Sequence, residues 1–182
     1  MKALVVYESM FGNTKLIAEA VAGGLTRHLD VETVEVGQKP VFGPGVDLVV
    51  VGGPTHAFGM TRASTRKSAA EQTEGDLVSR GIGIREWIEG LGAPAESVSA
   101  AAFDTRIDKP RLPGSAAAAA QRRLRKLGFR LPTEPESFFV DGTTGPLLAD
   151  EYERAHLWGE ELGSKVFARA PISVRFSPQR TN

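Results

Sequence analysis

A chain of 182 residues holds one ordinary domain with some sequence over for an insertion or a tail. Its composition, 41% hydrophobic and 24% charged, is that of a soluble globular protein, and 22 basic residues balance 22 acidic ones, so the whole molecule offers no field that would select nucleic acid. The absence of cysteine excludes disulfides, thiolate nucleophiles, iron–sulfur ligation and cysteine zinc sites, and three scattered histidines supply no metal centre of their own.

The chain opens on Lys2 to Tyr7, and residues 3–7, Ala-Leu-Val-Val-Tyr, are a short apolar run rich in β-branched residues. Such a run is expected of a strand covered on both faces by helices. No basic segment followed by an apolar stretch and a cleavage site comes before it, and no span is long enough for a bilayer, so a cytoplasmic protein without membrane attachment is expected. Glu8 to Gly12 break the run. From Asn13 the period changes, with Leu16, Ile17, Ala20, Val21 and Leu25 at helical spacing. Val31 to Val36 alternates apolar and polar residues, the mark of a half-exposed edge strand. A Gly/Pro-rich connection from Gly37 to Gly45 leads to Asp47-Leu48-Val49-Val50-Val51, a buried central strand that ends at Gly52-Gly53-Pro54.

Thr61 to Asp76 is polar, lacks a clear period and reads as a long functional or mobile loop. Ile84 to Leu91 resumes a helical pattern, Val98 to Phe103 reads as a fourth strand, and Pro113 to Leu127 as an alanine-rich helix carrying the basic cluster at 122–126. Ser137 to Val140 would be the fifth strand. A last helix is expected from near Pro146, with the stripe Leu148, Tyr152, Ala155, Leu162 and Val166. Strands alternating with helices five times predict one doubly wound α/β domain over residues 1–170, with a parallel sheet, right-handed crossovers and a loose tail at 171–182.

The segment Ser9-Met10-Phe11-Gly12-Asn13-Thr14 lies between the first strand and its helix, where the amides of the first helical turn lack internal partners. With the positive end of the helix dipole they can hold a phosphate without help from lysine or arginine. Ser9, Asn13 and Thr14 can donate side-chain bonds to phosphate oxygens, and Gly12 permits a close backbone approach. The alternative is plain capping by Asn13 or Thr14 and a simple turn at Gly12. The segment is neither a Walker loop nor a dinucleotide fingerprint, because Gly-Lys-Ser/Thr and Gly-x-Gly-x-x-Gly are both missing.

Val5 to Thr14 resembles the FMN phosphate loop of the flavodoxin family, whose usual form is Ser/Thr-x-Thr-Gly-Asn-Thr. The second landmark of that family follows the third strand, here Gly52-Gly53-Pro54-Thr55-His56-Ala57-Phe58-Gly59-Met60, and a third would be Phe103-Asp104-Thr105-Arg106. The resemblance spans about residues 2 to 168. It implies a five-stranded parallel sheet of order 2-1-3-4-5 with FMN as cofactor at the carboxyl edge of strands one and three; flavodoxin is a standard example of such a switch-point site. It further implies flavin contacts from Pro54 to Gly59, stacking by Phe58 or His56, a backbone adjustment at Gly59 on reduction, and backbone contacts from 103–106.

The sequence departs from electron-carrying flavodoxins in having His56, Arg62, Arg66 and Lys67 where acidic residues and a stacking tryptophan or tyrosine are usual. Arg106, Lys109 and Arg111 add charge if they share the rim, and positive charge there would favour the reduced flavin. Trp87 and Trp158 lie in helical patterns and read as packing residues. No catalytic side-chain set and no acidic pair for magnesium can be assembled. The expected function is an FMN-dependent redox protein passing electrons to a redox partner protein or a small quinone-like acceptor. The alternative is a binding or regulatory module of the same fold with little or no flavin.

Overall fold

The computed structural model describes residues 1–71, 77–94, 97–110 and 113–169. The expected tail at 171–182, the end of the 61–76 segment and Arg111 lie outside them. Five parallel strands, β1 (Lys2–Tyr7), β2 (Asp30–Glu35), β3 (Leu48–Pro54), β4 (Ser99–Ile107) and β5 (Glu136–Val140), form one sheet of order β2-β1-β3-β4-β5. The order reverses between β1 and β3, which are paired from Ala3↔Leu48 to Tyr7↔Gly52. Their carboxyl ends therefore diverge into connections on opposite faces and leave a crevice between them.

Helices cover both faces. On one, α1 (Asn13–Leu25) and α5 (Glu151–Ala168) bury Val5, Ile17, Val21, Leu25, Phe103, Phe138 and Leu162. On the other, α3 (Ile84–Glu89) and α4 (Ala116–Lys126) bury Val6, Val49, Val51, Ile84, Trp87 and Leu124. Val49, Val50 and Val51 are wholly buried because alternate side chains of a two-sided sheet both meet helices. β2, at one edge, has every residue at least partly exposed, as a half-exposed edge strand should. Trp87 and Trp158 pack as expected, Trp158 with its ring 6.3 Å from that of Phe103. Among the described residues no helix is long and apolar enough to cross a membrane.

Three expectations from the pattern of residues are corrected. The start of the 61–76 segment is not a loop but a helix, α2 (Ala63–Ala70). It buries only Ala69 and so leaves no apolar stripe to read. The fourth strand runs on through Asp104, Thr105 and Arg106 to Ile107, because these residues pair with β5 up to Ile107↔Val140. The last helix begins at Glu151 rather than near Pro146. Residues 146–148 are instead spent on the free edge of β5, where the Pro146 carbonyl accepts from the Asp141 amide and the Leu148 amide donates to Phe139.

Candidate functional site

The start of α1 is the centre of the crevice. Gly12 takes φ +91°, a left-handed conformation that only glycine adopts without strain, and it turns the chain from β1 into the helix. Among the described residues nothing lies within 4 Å of where its Cβ would be, so they leave the approach to the turn open. The Ser9 hydroxyl accepts from the Gly12 amide at 3.1 Å and from the Lys15 amide at 3.2 Å. No partner accepts from the amides of Phe11, Asn13 and Thr14 among the described residues. These amides, at the positive end of a 13-residue helix, can seat an anion.

The seat opens into a cavity of about 70 Å³ lined by Met10, Phe11, Asn13, Thr14, Pro54, Thr55, His56, Thr105, Arg106, Ile107, Val140 and Thr143. A second depression of about 350 Å³ continues from it, sharing Phe11, Thr55, His56, Ile107 and Thr143, and adds Ala57 and the Ser64, Thr65, Ser68 and Ala69 face of α2. Its size alone falls within the roughly 300–1,000 Å³ of small-molecule sites. A narrow polar end and a wider, mixed end suit a molecule with an anionic tail and a flat ring.

The wall formed by the β3 loop is a tight hairpin. His56 and Gly59 exchange two backbone bonds of 2.9 and 3.1 Å, while Ala57 and Phe58 take φ +44° and +71°. Two successive non-glycine residues in the left-handed region cost on the order of 1–2 kcal/mol each. The surroundings hold them there, since the Phe58 carbonyl sits 2.0 Å from where a Gly114 Cβ would be and Arg106 donates to the Gly114 carbonyl at 2.8 Å. Phe58 is 57% exposed, so it is not core. Burial lowers the pKa of His56 from 6.5 and so favours its neutral imidazole.

Beneath the loops lies a buried polar network. The Glu8 carboxylate accepts from Thr61 Oγ1 at 2.6 Å and from the Ile84 amide at 2.9 Å. Arg66 donates to Thr61 and forms a two-pronged pair with Glu86 at 3.1 and 3.2 Å. Burial pushes the Glu8 carboxyl above its usual range, against the bonds from Thr61 and Ile84 and the charge of Arg66. Glu8 thus ties the end of β1 to α3 and to the segment that follows the hairpin.

Comparison with known proteins places this geometry. No protein-family model and no curated protein matches the sequence. Among solved structures, flavodoxin 1 from Bacillus cereus superposes with a TM-score of 0.62 at 15% identity, over 94% of this chain and 100% of that one. A flavodoxin from the domain Archaea gives 0.58 at 20% identity, over 91% and 99%. A flavodoxin, WrbA-like protein from Agrobacterium tumefaciens gives 0.57 at 16% identity, over 93% and 99%. The chain has the flavodoxin-like fold.

In that flavodoxin-like frame the expected site residues separate into cavity and scaffold. Met10, Phe11, Asn13, Thr14, Pro54, Thr55, His56, Thr105 and Arg106 meet at the first cavity, and Ala57 joins them in the second. The side chains expected to donate to phosphate are occupied: Asn13 Nδ2 donates to the Thr144 carbonyl at 2.9 Å, Thr14 Oγ1 bonds Thr105 Oγ1 at 2.7 Å, and Ser9 lies wholly buried beneath the loop. The seat is main-chain. Phe103 turns into the core, 6.1 Å from the Phe138 ring. Asp104 caps α4, where Oδ2 accepts from Thr55, Ser115 and the Ala117 amide, so its charge answers a helix dipole. Phe58 and Gly59 line a third depression on the far flank of the hairpin.

The expected basic rim is also rearranged. Arg66 is committed to Glu86, and with Lys67 it lines a depression beside Leu77 and Ser79, apart from the cavities at α1. Residues that the sequence did not single out border the same cavities or support the loop: Ile107 and Thr143 in the wall, the Ser64–Ala69 face of α2, and Ser79. The Ser79 hydroxyl accepts from the Ser9 amide at 2.9 Å and donates to Glu35 at 2.6 Å, and the Ser79 and Val78 amides donate to Ser9 and Met10. This clasp comes from residues just beyond the 61–76 segment, which no sequence pattern marked.

Proposed function

We propose that this chain is an FMN-binding redox protein that exchanges electrons with a protein or a small quinone-like partner. The observation that carries the reading is the row of unpartnered amides at Phe11, Asn13 and Thr14, opening into a cavity shared by the ends of β1, β3 and β4. The amides of this row would hold the phosphate dianion, and Arg106 at the cavity wall would add positive charge beside the bound group. The ring would occupy the wider depression between the His56–Ala57 backbone, Phe11, Ile107 and α2. Bound there, FMN supplies reversible electron transfer, while the residues bind it, orient it and limit water.

A second reading, a flavin-poor binding module, draws on the internal bonding of Ser9, Asn13 and Thr14, which leaves no side-chain hydroxyl or amide of the loop committed to an outside anion. The absorbance spectrum of purified protein, followed by FMN titration of apoprotein, separates the two. Asn13→Asp preserves side-chain shape and adds a negative charge at a helix start, where the dipole tolerates it. It is expected to weaken FMN binding by about tenfold to a hundredfold through repulsion of the phosphate. A colourless protein, or equal affinity in both forms, rejects the phosphate assignment.

A further inference from the structure

The third depression, about 260 Å³, lies between the His56–Met60 hairpin, the start of α2 and α4, and it is lined by Arg62, Arg85, Ser64, Thr65, Phe58 and Ala119 among others. It shares His56, Ala57, Ser64 and Thr65 with the wide depression assigned to the ring, so a molecule could reach from one into the other. Among the described residues no carboxylate lines it. Arg85 uses Nε and Nη2 to hold the carbonyls of Thr61 and Met60, at 2.9 and 2.8 Å, which fixes its guanidinium in place and leaves Nη1 unused. Neither Arg62 nor Arg85 is in an ion pair among the described residues.

The nearest carboxylates are already taken: Glu86 pairs with Arg66, and Glu89 faces Arg123 at 3.8 Å. Burial, together with the neighbouring charges of Arg123 and Arg62, holds the Arg85 guanidinium below its usual pKa. Glu89 and Glu86 pull the other way but less strongly, so net positive charge gathers at one concave place. Two guanidiniums with fixed and movable arms, a Ser64 hydroxyl and an absence of acids match a dianion, and guanidinium–phosphate pairs are among the stronger charge-assisted bonds.

We propose that this pocket binds the phosphate group of a small phosphorylated redox partner, with Arg62 and Arg85 as its ligands and the partner's reactive end lying toward the neighbouring depression. The placement of that reactive end rests on the FMN reading; the anion site does not. Two observations carry the site itself, the acid-free cavity and the pair of unmatched arginines that face into it.

Amide and arginine side-chain resonances of the full chain, followed by NMR during titration with inorganic phosphate, test it. Saturable shifts at Ser64, Thr65 and Arg85 Nε are expected, with affinity falling about tenfold in Arg62→Gln, the loss of one charge-assisted contact at an exposed side chain. Lys67→Gln, which removes a cation that lines a different depression, is expected to change nothing. Shifts confined to residues 11–14 overturn this proposal and leave the cofactor reading standing. Shifts at 62–65 without any at 11–14 support this pocket while counting against the phosphate seat of α1. Equal weakening in Arg62→Gln and Lys67→Gln reveals only diffuse attraction and overturns it.

Discussion

Glu8 and His56 carry the pH sensitivity of the site, in opposite directions. The Glu8 carboxyl has its folded pKa raised above 4.5 by burial, so the unfolded chain ionises first as pH rises. Stability is lost from pH 4.5 upward to the folded pKa and stays lower beyond it. Glu8→Gln can still accept from the Ile84 amide and donate to Thr61, so the difference in stability between variant and wild type is expected to shift in favour of the variant across that window. Urea denaturation at a series of pH values measures it, and Glu8→Ala, which strands the Ile84 amide, should cost about 1–3 kcal/mol at every pH. For His56 the folded pKa lies below 6.5, so the unfolded chain takes up its proton first as pH falls. Stability is full above 6.5 and declines below it. His56→Gln is expected to flatten this part of the same curves, and an unchanged slope would show the imidazole to be solvated.

At the scale of elements, short-range sequence sets local shape and neighbouring elements then hold it. The Ala57–Phe58 turn is left-handed without a glycine at either central position, a conformation its own residues disfavour. It persists because the segment around Gly114 packs on the Phe58 carbonyl. Gly114→Ala must move that contact, and since Gly114 itself has φ +83°, strain adds to the clash. A destabilisation of about 1–3 kcal/mol by thermal or chemical denaturation is expected, with the hairpin more readily cut by protease. The start of α4 shows the same logic. Its first three amides donate to Thr55, Asp104 and Ser115, so two of its three caps come from β4 and from the residue after β3 and join three elements at one point.

Over the whole molecule, the sheet places one apolar layer beneath the site and another behind it. Phe103 is the residue whose sequence position and role part most clearly, since it sits in the third landmark segment yet packs between Phe138 and Trp158. Phe103→Ala is expected to lower stability by about 3–5 kcal/mol, read by chemical denaturation, and to leave the cavity at α1 without a lost contact of its own. Should the variant keep wild-type stability, the ring would not be the core member that its 1% exposure indicates.

The five strands and the helices α1, α3, α4 and α5 were legible in the chain because each buries a stripe or a run that recurs with the period of its backbone. The helix start after Gly12 was legible for the same local reason, the change from an apolar run to helical spacing at Asn13. Helix α2 was not, because a segment that buries one alanine writes no period. The true ends of β4 and α5 were set by pairing across β5. Whether Asn13 and Thr14 turn outward or bond to Thr144 and Thr105 depended on partners far away in sequence. Hydrophobic periodicity and backbone stereochemistry are local and so belong to the sequence; the partner of a polar side chain is chosen by whichever distant group the folded sheet brings within 3 Å, and that only the tertiary structure decides.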